Sequence, residues 1–170
     1  MAMQSGSEIG TPQPEDGERI LEIAHHVRLF GAADVGIIAE LWHEFTTRGS
    51  EASGYHFLVA RQEGRIVGFA CYGPRPLTSG TYDLYWIAVE DGWQRCGIGH
   101  RLLSEVERRV QAAGGRLLVV ETEGRPEYEP TRYFYTLAGY TPEARIHDFY
   151  QPGDDLVIFT KHLPPLAKEA

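Results

Sequence analysis

Two periods of apolar and polar residues run along the chain, and together they predict a mixed α/β domain. Apolar residues at helical intervals predict helices over residues 34–47 and 98–110. Gly139 ends a third predicted helix, over residues 130–138. Runs rich in β-branched and aromatic residues predict seven strands, at residues 19–27, 55–61, 65–72, 82–89, 116–121, 140–149 and 156–161.

The run Leu117 to Val120 is continuously apolar, as in a central strand covered on both faces. Because a helix separates it from the strand at 82–89, we expect these two strands to be parallel. Residues 1–17 are rich in Gly, Pro, Ser and acidic residues, which predicts a flexible tail. The expected organisation is one domain over residues 18–163, followed by a short C-terminal tail at 164–170.

A glycine-bearing turn joins the strand at 82–89 to the helix at 98–110. Its sequence is Gln94-Arg95-Cys96-Gly97-Ile98-Gly99. Glycines let backbone N–H groups approach a ligand closely, and the helix start adds the positive end of its dipole, so the turn is suited to a phosphate. The P-loop template fails because His100 and Arg101 follow Gly99, and the dinucleotide template fails because Leu102 stands where a third glycine is needed.

This Gln-x-x-Gly-x-Gly turn resembles the pyrophosphate-binding motif of the Gcn5-related N-acetyltransferase (GNAT) superfamily. A second resemblance lies about 40 residues on, in the run from Phe134-Tyr135 to Gly139-Tyr140. The likeness spans residues 19–163 and implies a twisted mixed sheet of six or seven strands with helices on both faces. In that fold the parallel strands at 82–89 and 116–121 splay apart to admit acetyl-CoA.

The resemblance also implies which residues bind acetyl-CoA. The turn would hold the pyrophosphate through its main chain, and the strand before it would hold the thioester carbonyl and pantetheine arm as an added strand does. Arg101 and Arg132 are candidates for the 3′-phosphate or adenine, with solvated surface arginines as the alternative. The implied cofactor-binding residues are Ile87, Ala88, Val89, Gln94, Arg95, Cys96, Gly97, Ile98, Gly99, His100, Arg101 and Thr131.

Two residues are candidates for the proton transfers. Tyr135 occupies the family's general-acid position, and the alternative is a core tyrosine that packs helix against sheet. Asp83 stands out in an apolar strand, at an offset where some family members carry a catalytic glutamate, and the alternative is an aspartate that caps the turn before it. Glu44 and Glu121 are weaker candidates for the base, and deprotonation through water stays open. Tyr128 stands where many members have asparagine, which puts one pantetheine contact in doubt.

Composition limits the partners. A formal charge of −8 over 170 residues, without a basic patch, disfavours nucleic acid. Apolar runs are too short to cross a bilayer and the start lacks an export signal, so we expect a cytoplasmic protein without membrane association. Two cysteines and scattered histidines give no metal-ligand spacing, so no metal is expected.

The predicted function is acetyl-CoA-dependent N-acetyl transfer to a primary amine of a small molecule or amino acid, by direct attack in a ternary complex. Acidic residues across the expected acceptor loops are compatible with a cationic amine, although a solvated acidic surface explains them equally well. The alternatives are a non-catalytic CoA-binding regulatory or sensing module and acetylation of a protein amine. The sequence leaves the acceptor unnamed and a homodimer open.

Overall fold

A computed structural model describes residues 6–166 of the chain. Seven strands form one mixed sheet in the order β1-β2-β3-β4-β5-β7-β6. The strands are β1 (Glu8–Gly10), β2 (His56–Gln62), β3 (Arg65–Pro74), β4 (Thr81–Val89), β5 (Leu117–Glu123), β6 (Thr141–Gln151) and β7 (Asp154–His162). The helices are α1 (Gly17–His26), α2 (Ala32–Ser53), α3 (Ile98–Ala112) and α4 (Glu129–Leu137). This confirms the predicted α/β fold class with a mixed sheet of seven strands, although β1 was not among the strands predicted from the sequence.

Within residues 6–166 the chain divides into two compact units. The first unit comprises residues 6–73 and 86–106, and its core is built around aromatic side chains of α2 and β2. Trp42 and Phe57 meet edge to face with ring centroids 5.1 Å apart, and Phe45 lies 5.3 Å from Phe57. Strands β2 and β3 form a hairpin, whose two turn residues Glu63 and Gly64 both have positive φ, as a tight type I′ connection requires.

The second unit comprises residues 74–85 and 107–166. In it the start of β4 pairs in parallel with β5, from Thr81 opposite Leu117 to Leu84 opposite Val120. This confirms the predicted parallel pair. Strand β7 runs antiparallel to both β5 and β6, and its apolar residues Leu156, Val157 and Phe159 are buried.

The prediction of a strand over residues 19–27 is wrong, because this segment is helix α1. Ile20, Ile23 and Ala24 are fully or nearly fully buried at helical spacing, with 0 to 1% of their surface exposed. A short apolar segment fits both the helical and the strand period. Here the buried residues are three and four positions apart, which is the helical spacing.

The predicted flexible tail is also wrong for residues 6–17. Residues 8–10 form β1, in which Ile9 lies opposite Ala60 of β2, and residues 14–16 form a 3₁₀ turn that leads into α1. Asp16 bonds the backbone N–H of Gln13 at 2.7 Å and pairs with Arg61 at 2.5 Å. The ordered domain therefore begins before residue 18. The Pro and Gly residues of this segment lie in or next to the edge strand β1 and the turn that follows it, and not in a flexible tail. Residues 1–5 and 167–170 of the predicted tails lie outside the described residues.

The remaining predicted elements are present, and most of their ends differ from the prediction by a few residues. The largest difference is in α2, which extends to Ser53 through a kink at Gly49 (φ 75°, ψ 164°). No helix of the described chain combines the length and the apolar character needed to cross a bilayer.

Candidate cofactor and catalytic residues

The end of β4 is held in place by its neighbours in the first unit. The backbone N–H of Glu90, the residue after the strand, donates to the carbonyl of Val67 at 2.8 Å. The Glu90 carboxylate accepts hydrogen bonds from Arg19 at 2.7 Å and from Arg65 at 3.1 Å. The three predicted strand positions precede this anchor: Ala88 is buried at 7% exposure, and Ile87 and Val89 are half-buried.

Gln94 fastens the turn to the strand that precedes it. Its side-chain amide donates to the carbonyl of Val89 and to Oδ1 of Asp91, both at 3.0 Å. A 3₁₀ turn over Asp91–Trp93 lies between the end of β4 and Gln94 in the sequence. The side chain of Gln94 therefore shapes the turn from within.

The turn itself presents main chain to solvent. Arg95 and Gly97 both have positive φ, 60° and 78°, and a Cβ added at Gly97 would meet no atom within 4 Å. The amide of Arg101, in the first turn of α3, donates to the carbonyl of Gly97 at 3.0 Å. The first amides of an α-helix generally lack acceptors within the helix itself.

The turn is anchored from one side and open on the other. Ile98 is buried at 4% exposure, whereas Arg95, Cys96, Gly97 and His100 are exposed and Gly99 is half-buried. The thiol of Cys96 lies 3.5 Å from the carbonyl of Gln94. Exposed main chain, an open glycine and a helix start together form a surface that suits an anion such as a diphosphate.

Arg101 is engaged elsewhere in the first unit. Its guanidinium donates to the hydroxyl of Ser7 at 2.5 Å and also to the carbonyl of Ser7. The contact ties α3 to the segment before β1. Its predicted contact with the 3′-phosphate stays a prediction, and it requires these bonds to Ser7 to be exchanged.

Tyr135 is a buried residue of α4 in the second unit, with 4% of its surface exposed. Its ring centroid lies 5.8 Å from those of Tyr140 and Phe159 and 5.2 Å from that of Phe134. Burial raises the pKa of the Tyr135 phenol well above its usual value of 10. The hydroxyl therefore keeps its proton at neutral pH and is available as a donor.

Asp83 is buried in the same unit, and both of its carboxylate oxygens are occupied. Arg75 Nε lies 3.0 Å from Oδ1 and 2.9 Å from Oδ2, and Arg75 Nη2 lies 2.6 Å from Oδ1. The same guanidinium reaches Oε1 of Glu121 at 3.4 Å. The predicted role of Asp83 as a general base stays a prediction, and the structure adds Arg75 as its partner.

Arg75 is the functional candidate that sequence reasoning missed. It lies between Pro74 and Pro76, in a connection that has no apolar period, so no pattern there indicates a partner. The only signal available in the sequence was that Arg75 precedes Asp83, a carboxylate in an apolar strand, by eight residues.

Thr131 and Arg132 lie in the first turns of α4. Thr131 is half-buried. Arg132 Nη1 donates to the carbonyls of Glu123 at 2.7 Å and Arg125 at 2.9 Å. The side chain therefore links α4 to the segment at the end of β5. Tyr128 packs under the guanidinium of Arg125, 5.6 Å from the ring centroid, which accounts for the aromatic residue there.

The described residues 6–166 contain no cluster of three or more His, Cys, Asp or Glu side chains that could bind a metal ion. Both cysteines are free thiols; Cys71 is buried and Cys96 is exposed. Burial raises the pKa of the Cys71 thiol well above its usual range.

Comparisons with known proteins identify the family. A family model described as an acetyltransferase (GNAT) domain matches residues 53–142. The structure is similar to the crystal structure of a protein from Desulfovibrio desulfuricans classed in the GNAT family of acetyltransferases. That match has a TM-score of 0.90 and 40% sequence identity, and covers 93% of this chain and 99% of the other.

Two more distant structures share the fold. The ribosomal-protein-S18-alanine N-acetyltransferase of Escherichia coli has a TM-score of 0.74 at 18% identity, over 96% of this chain and 97% of that one. The protein yncA of Salmonella typhimurium, solved with its cofactor acetyl-CoA, has a TM-score of 0.72 at 21% identity, over 98% and 99%. No curated protein matches the sequence. Since the family model covers more than half of the chain and a 40% identical relative aligns along most of it, this chain belongs to the GNAT family of acetyltransferases.

Proposed function

We propose that this protein is an acetyl-CoA-dependent N-acetyltransferase that moves an acetyl group to a primary amine by direct attack in a ternary complex. The observation that carries the proposal is the 40% identity to a GNAT-family structure along 93% of the chain. The turn at residues 94–100 supports it, because its form suits the diphosphate of CoA.

The residues of the turn fit the cofactor. Acetyl-CoA supplies an acetyl group activated as a thioester. The amides of residues 95–100 are proposed to bind the diphosphate at the start of α3, where the open side of Gly97 leaves room for close approach. Backbone groups of Ile87, Ala88 and Val89 are proposed to bind the pantetheine arm as a neighbouring strand would. Thr131 is the proposed side-chain contact.

Tyr135 is the proposed general acid. Its role is to donate a proton to the departing thiolate, and the raised pKa of its phenol keeps that proton in place until it is needed. Asp83 is the predicted acceptor of the amine's proton. Arg75 donates to both oxygens of this carboxylate, at 2.6–3.0 Å.

The proposed acceptor is the amine of a small molecule or an amino acid. The formal charge of −8 is compatible with a cationic acceptor. A protein amine is the second candidate, because the E. coli structure of the same fold is named for acetylation of a ribosomal-protein alanine. A cytoplasmic location is part of the proposal.

Two measurements test the proposal. Acetyl-CoA at one hundred times its dissociation constant should stabilise the protein by about 2.7 kcal/mol, seen as a rise in melting temperature. Release of CoA thiol should then rise above the hydrolysis background with at least one member of a panel of amines, amino acids and N-terminal peptides, with the acetylated product detected by mass spectrometry. A stabilised protein that acetylates no amine would indicate a CoA-binding module, and no stabilisation would refute cofactor binding.

A further inference from the structure

Glu90 joins the end of β4 to two other elements of the first unit. Its backbone N–H donates to the carbonyl of Val67 in β3 at 2.8 Å. Its carboxylate oxygen Oε1 accepts a hydrogen bond from Nη2 of Arg19 at 2.7 Å, and Nε of the same guanidinium donates to the carbonyl of Ile66 at 3.0 Å. Arg19 of α1 therefore holds the residue after β4 and a residue of β3 in one fixed arrangement.

The ion pair of Arg19 and Glu90 is the strongest contact in its surroundings. Their side chains are 17% and 24% exposed. Arg19 also lies 2.8 Å from Glu22, whose side chain is 54% exposed, and the second cation beside Glu90 is Arg65, whose side chain is 62% exposed. Ion pairs with well exposed side chains contribute little, whereas a half-buried arginine that donates to both a carboxylate and a carbonyl is fixed in place.

The end of β4 is packed closely against β3. Gly68 follows Val67, and a Cβ added to Gly68 would lie 2.9 Å from the carbonyl oxygen of Ala88 and 3.3 Å from Cγ2 of Val89. Because the two strands leave no room for a side chain there, a shift of Glu90 relative to β3 would also displace Ala88 and Val89. These are two of the three residues whose backbone groups are proposed to bind the pantetheine arm.

Glu90 also sets the direction in which the chain leaves β4. Its carbonyl accepts a hydrogen bond from the backbone N–H of Trp93 at 2.8 Å, which closes the 3₁₀ turn after the strand. Gln94 follows directly, and its side-chain amide donates back to the carbonyl of Val89 at 3.0 Å. The position of Glu90 therefore fixes the start of the proposed diphosphate turn at residues 95–100.

We propose that Arg19 and Glu90 are positioning residues for acetyl-CoA. Their ion pair holds the end of β4 and the following turn in the arrangement that binds the pantetheine arm and the diphosphate. Both side chains act through the backbone of residues 88–89 and 95–100. The inference rests on the proposed function and adds α1 to the parts of the chain that determine the affinity for the cofactor.

Charge distinguishes this role from a purely electrostatic one. Glu90 lies four residues before Gln94, close in sequence to the proposed anion site. Loss of the Arg19 cation makes these surroundings more negative, whereas loss of the Glu90 carboxylate makes them more positive. If charge alone mattered, Arg19→Met would weaken the binding of the anionic cofactor and Glu90→Met would strengthen it. Both variants break the same hydrogen bond, so a positioning role weakens binding in both.

Calorimetric titration of the full-length protein with acetyl-CoA is the first test. Arg19→Met and Glu90→Met should each raise the dissociation constant by about 10–100-fold, as expected when binding groups are displaced by about an ångström. The double variant should bind no more weakly than the weaker single variant, because both changes remove one interaction. Arg19→Lys keeps the charge without the two-pronged contact, so it should fall between wild type and Arg19→Met. Unchanged or tighter binding by Glu90→Met would overturn the proposal.

Two control variants separate positioning from a loss of stability. Arg61→Met breaks another ion pair of the first unit, with Asp16 at 2.5 Å and with side chains 28% and 14% exposed. It should lower the melting temperature about as much as Arg19→Met does but keep the wild-type affinity for acetyl-CoA. Glu22→Gln removes the other carboxylate beside Arg19 and should also bind as wild type. Equal affinities of Arg19→Met and Arg61→Met would show that the pair is only structural.

Hydrogen exchange followed by mass spectrometry observes the turn without any ligand. Peptides that cover residues 89–100 should exchange faster in Arg19→Met than in wild type or Arg61→Met. If wild-type protein does not bind acetyl-CoA, the proposed function fails and the cofactor role of the pair fails with it, while the exchange still shows whether the pair holds the turn. If wild type binds acetyl-CoA and Arg19→Met changes neither the affinity nor the exchange, the proposed function stands and this inference is wrong.

Discussion

The ammonium group of Lys161 donates hydrogen bonds to both carboxylate oxygens of Glu107, at 3.0 Å to Oε1 and 2.9 Å to Oε2. The hydroxyl of Tyr140 donates to the same Oε1 at 3.1 Å, and Lys161 also donates to the carbonyl of Ala138 at 2.9 Å. These side chains are mostly buried, with 27% of Lys161 and 15% of Glu107 exposed. Within the second unit they fix β7 to the end of α4, the helix that carries Tyr135.

Replacing Lys161 by Met should therefore destabilise the fold. The change leaves Glu107 without its cation and the carbonyl of Ala138 without its donor, which costs roughly 1.5–3 kcal/mol for a hydrogen-bonded charge. The melting temperature should fall by about 3–12 °C at this chain length. Arg48→Met is the control, since its partner Glu44 and Arg48 itself are 40% and 56% exposed, and such pairs contribute little. Equal changes in the two variants would contradict the prediction.

Gly115→Ala should also destabilise the second unit. An added Cβ would lie 2.3 Å from Cγ1 of Val110, 2.9 Å from its carbonyl oxygen and 3.0 Å from Cδ2 of Tyr82. Overpacking of this kind costs about 1–3 kcal/mol because the backbone and a core residue must move. Urea unfolding should show the loss. Gly92→Ala, where an added Cβ meets nothing within 4 Å, should stay close to wild type, and the prediction is wrong if both variants unfold at the same urea concentration.

The sequence predicted the elements whose apolar period repeats over several turns. It did not predict features that depend on individual contacts between distant residues. Ile98, Leu102 and Val106 recur at one period over several turns, so the helix after the glycine turn was predicted within two residues of its end. The segment at 19–27 is too short for its sequence to separate the two periods, and the burial of Ile20, Ile23 and Ala24 shows which of them applies. The candidate site residues likewise divide into those indicated by a local motif and those whose contacts are long-range.

Local motifs indicated the candidate site residues, and long-range contacts gave some of them partners that no motif indicates. The turn at 94–99 has the glycine geometry that its motif predicts. The contact of Arg101 with Ser7 joins residues 94 positions apart, and no local pattern encodes it. Arg75 beside Asp83 depends on how a proline-flanked connection folds back, which also lies beyond periodicity.

Asp155 should make the stability depend on pH in the acid range. The hydrogen bond from Arg145 at 2.7 Å, joined by one from the Asp148 amide and one involving His147, lowers the Asp155 pKa from 3.8 to about 2. A lowered carboxyl pKa stabilises the folded state above pH 4, and this contribution is lost as the pH falls through 2.

Urea unfolding at pH 7, 4, 3 and 2 would measure the Asp155 contribution. Asp155→Asn should be less stable than wild type at pH 7, and the difference between the two should shrink between pH 4 and 2. Glu127→Gln provides a comparison for removal of one exposed negative charge from the same unit. A difference between Asp155→Asn and wild type that stays constant down to pH 2 would show that the ion pair is not responsible.

Gly97→Ala should separate ligand binding from stability. Alanine at a φ of 78° costs about 1–2 kcal/mol although no atom lies within 4 Å of the new Cβ. Gly153→Ala is a matched control, because Gly153 has a φ of 84° and equally open surroundings in the β6–β7 turn. Both variants should lose similar stability, and only Gly97→Ala should bind acetyl-CoA at least tenfold more weakly by calorimetry. Equal affinity in both would remove the turn from the proposed binding site.

Tyr135→Phe should lower kcat for acetyl transfer by about 10²–10⁴-fold, the usual contribution of a positioned general acid. Phenylalanine fills the same space among Phe134, Tyr140 and Phe159, so the melting temperature should change little. Because burial raises the pKa of this phenol above its usual value of 10, the wild-type rate should show no loss from its ionisation between pH 7 and 10. Release of CoA thiol with an accepted amine measures both effects. Tyr133→Phe, on the exposed side of the same helix with 62% of its surface accessible, should keep wild-type rates, and the acid role is refuted if Tyr135→Phe does so too.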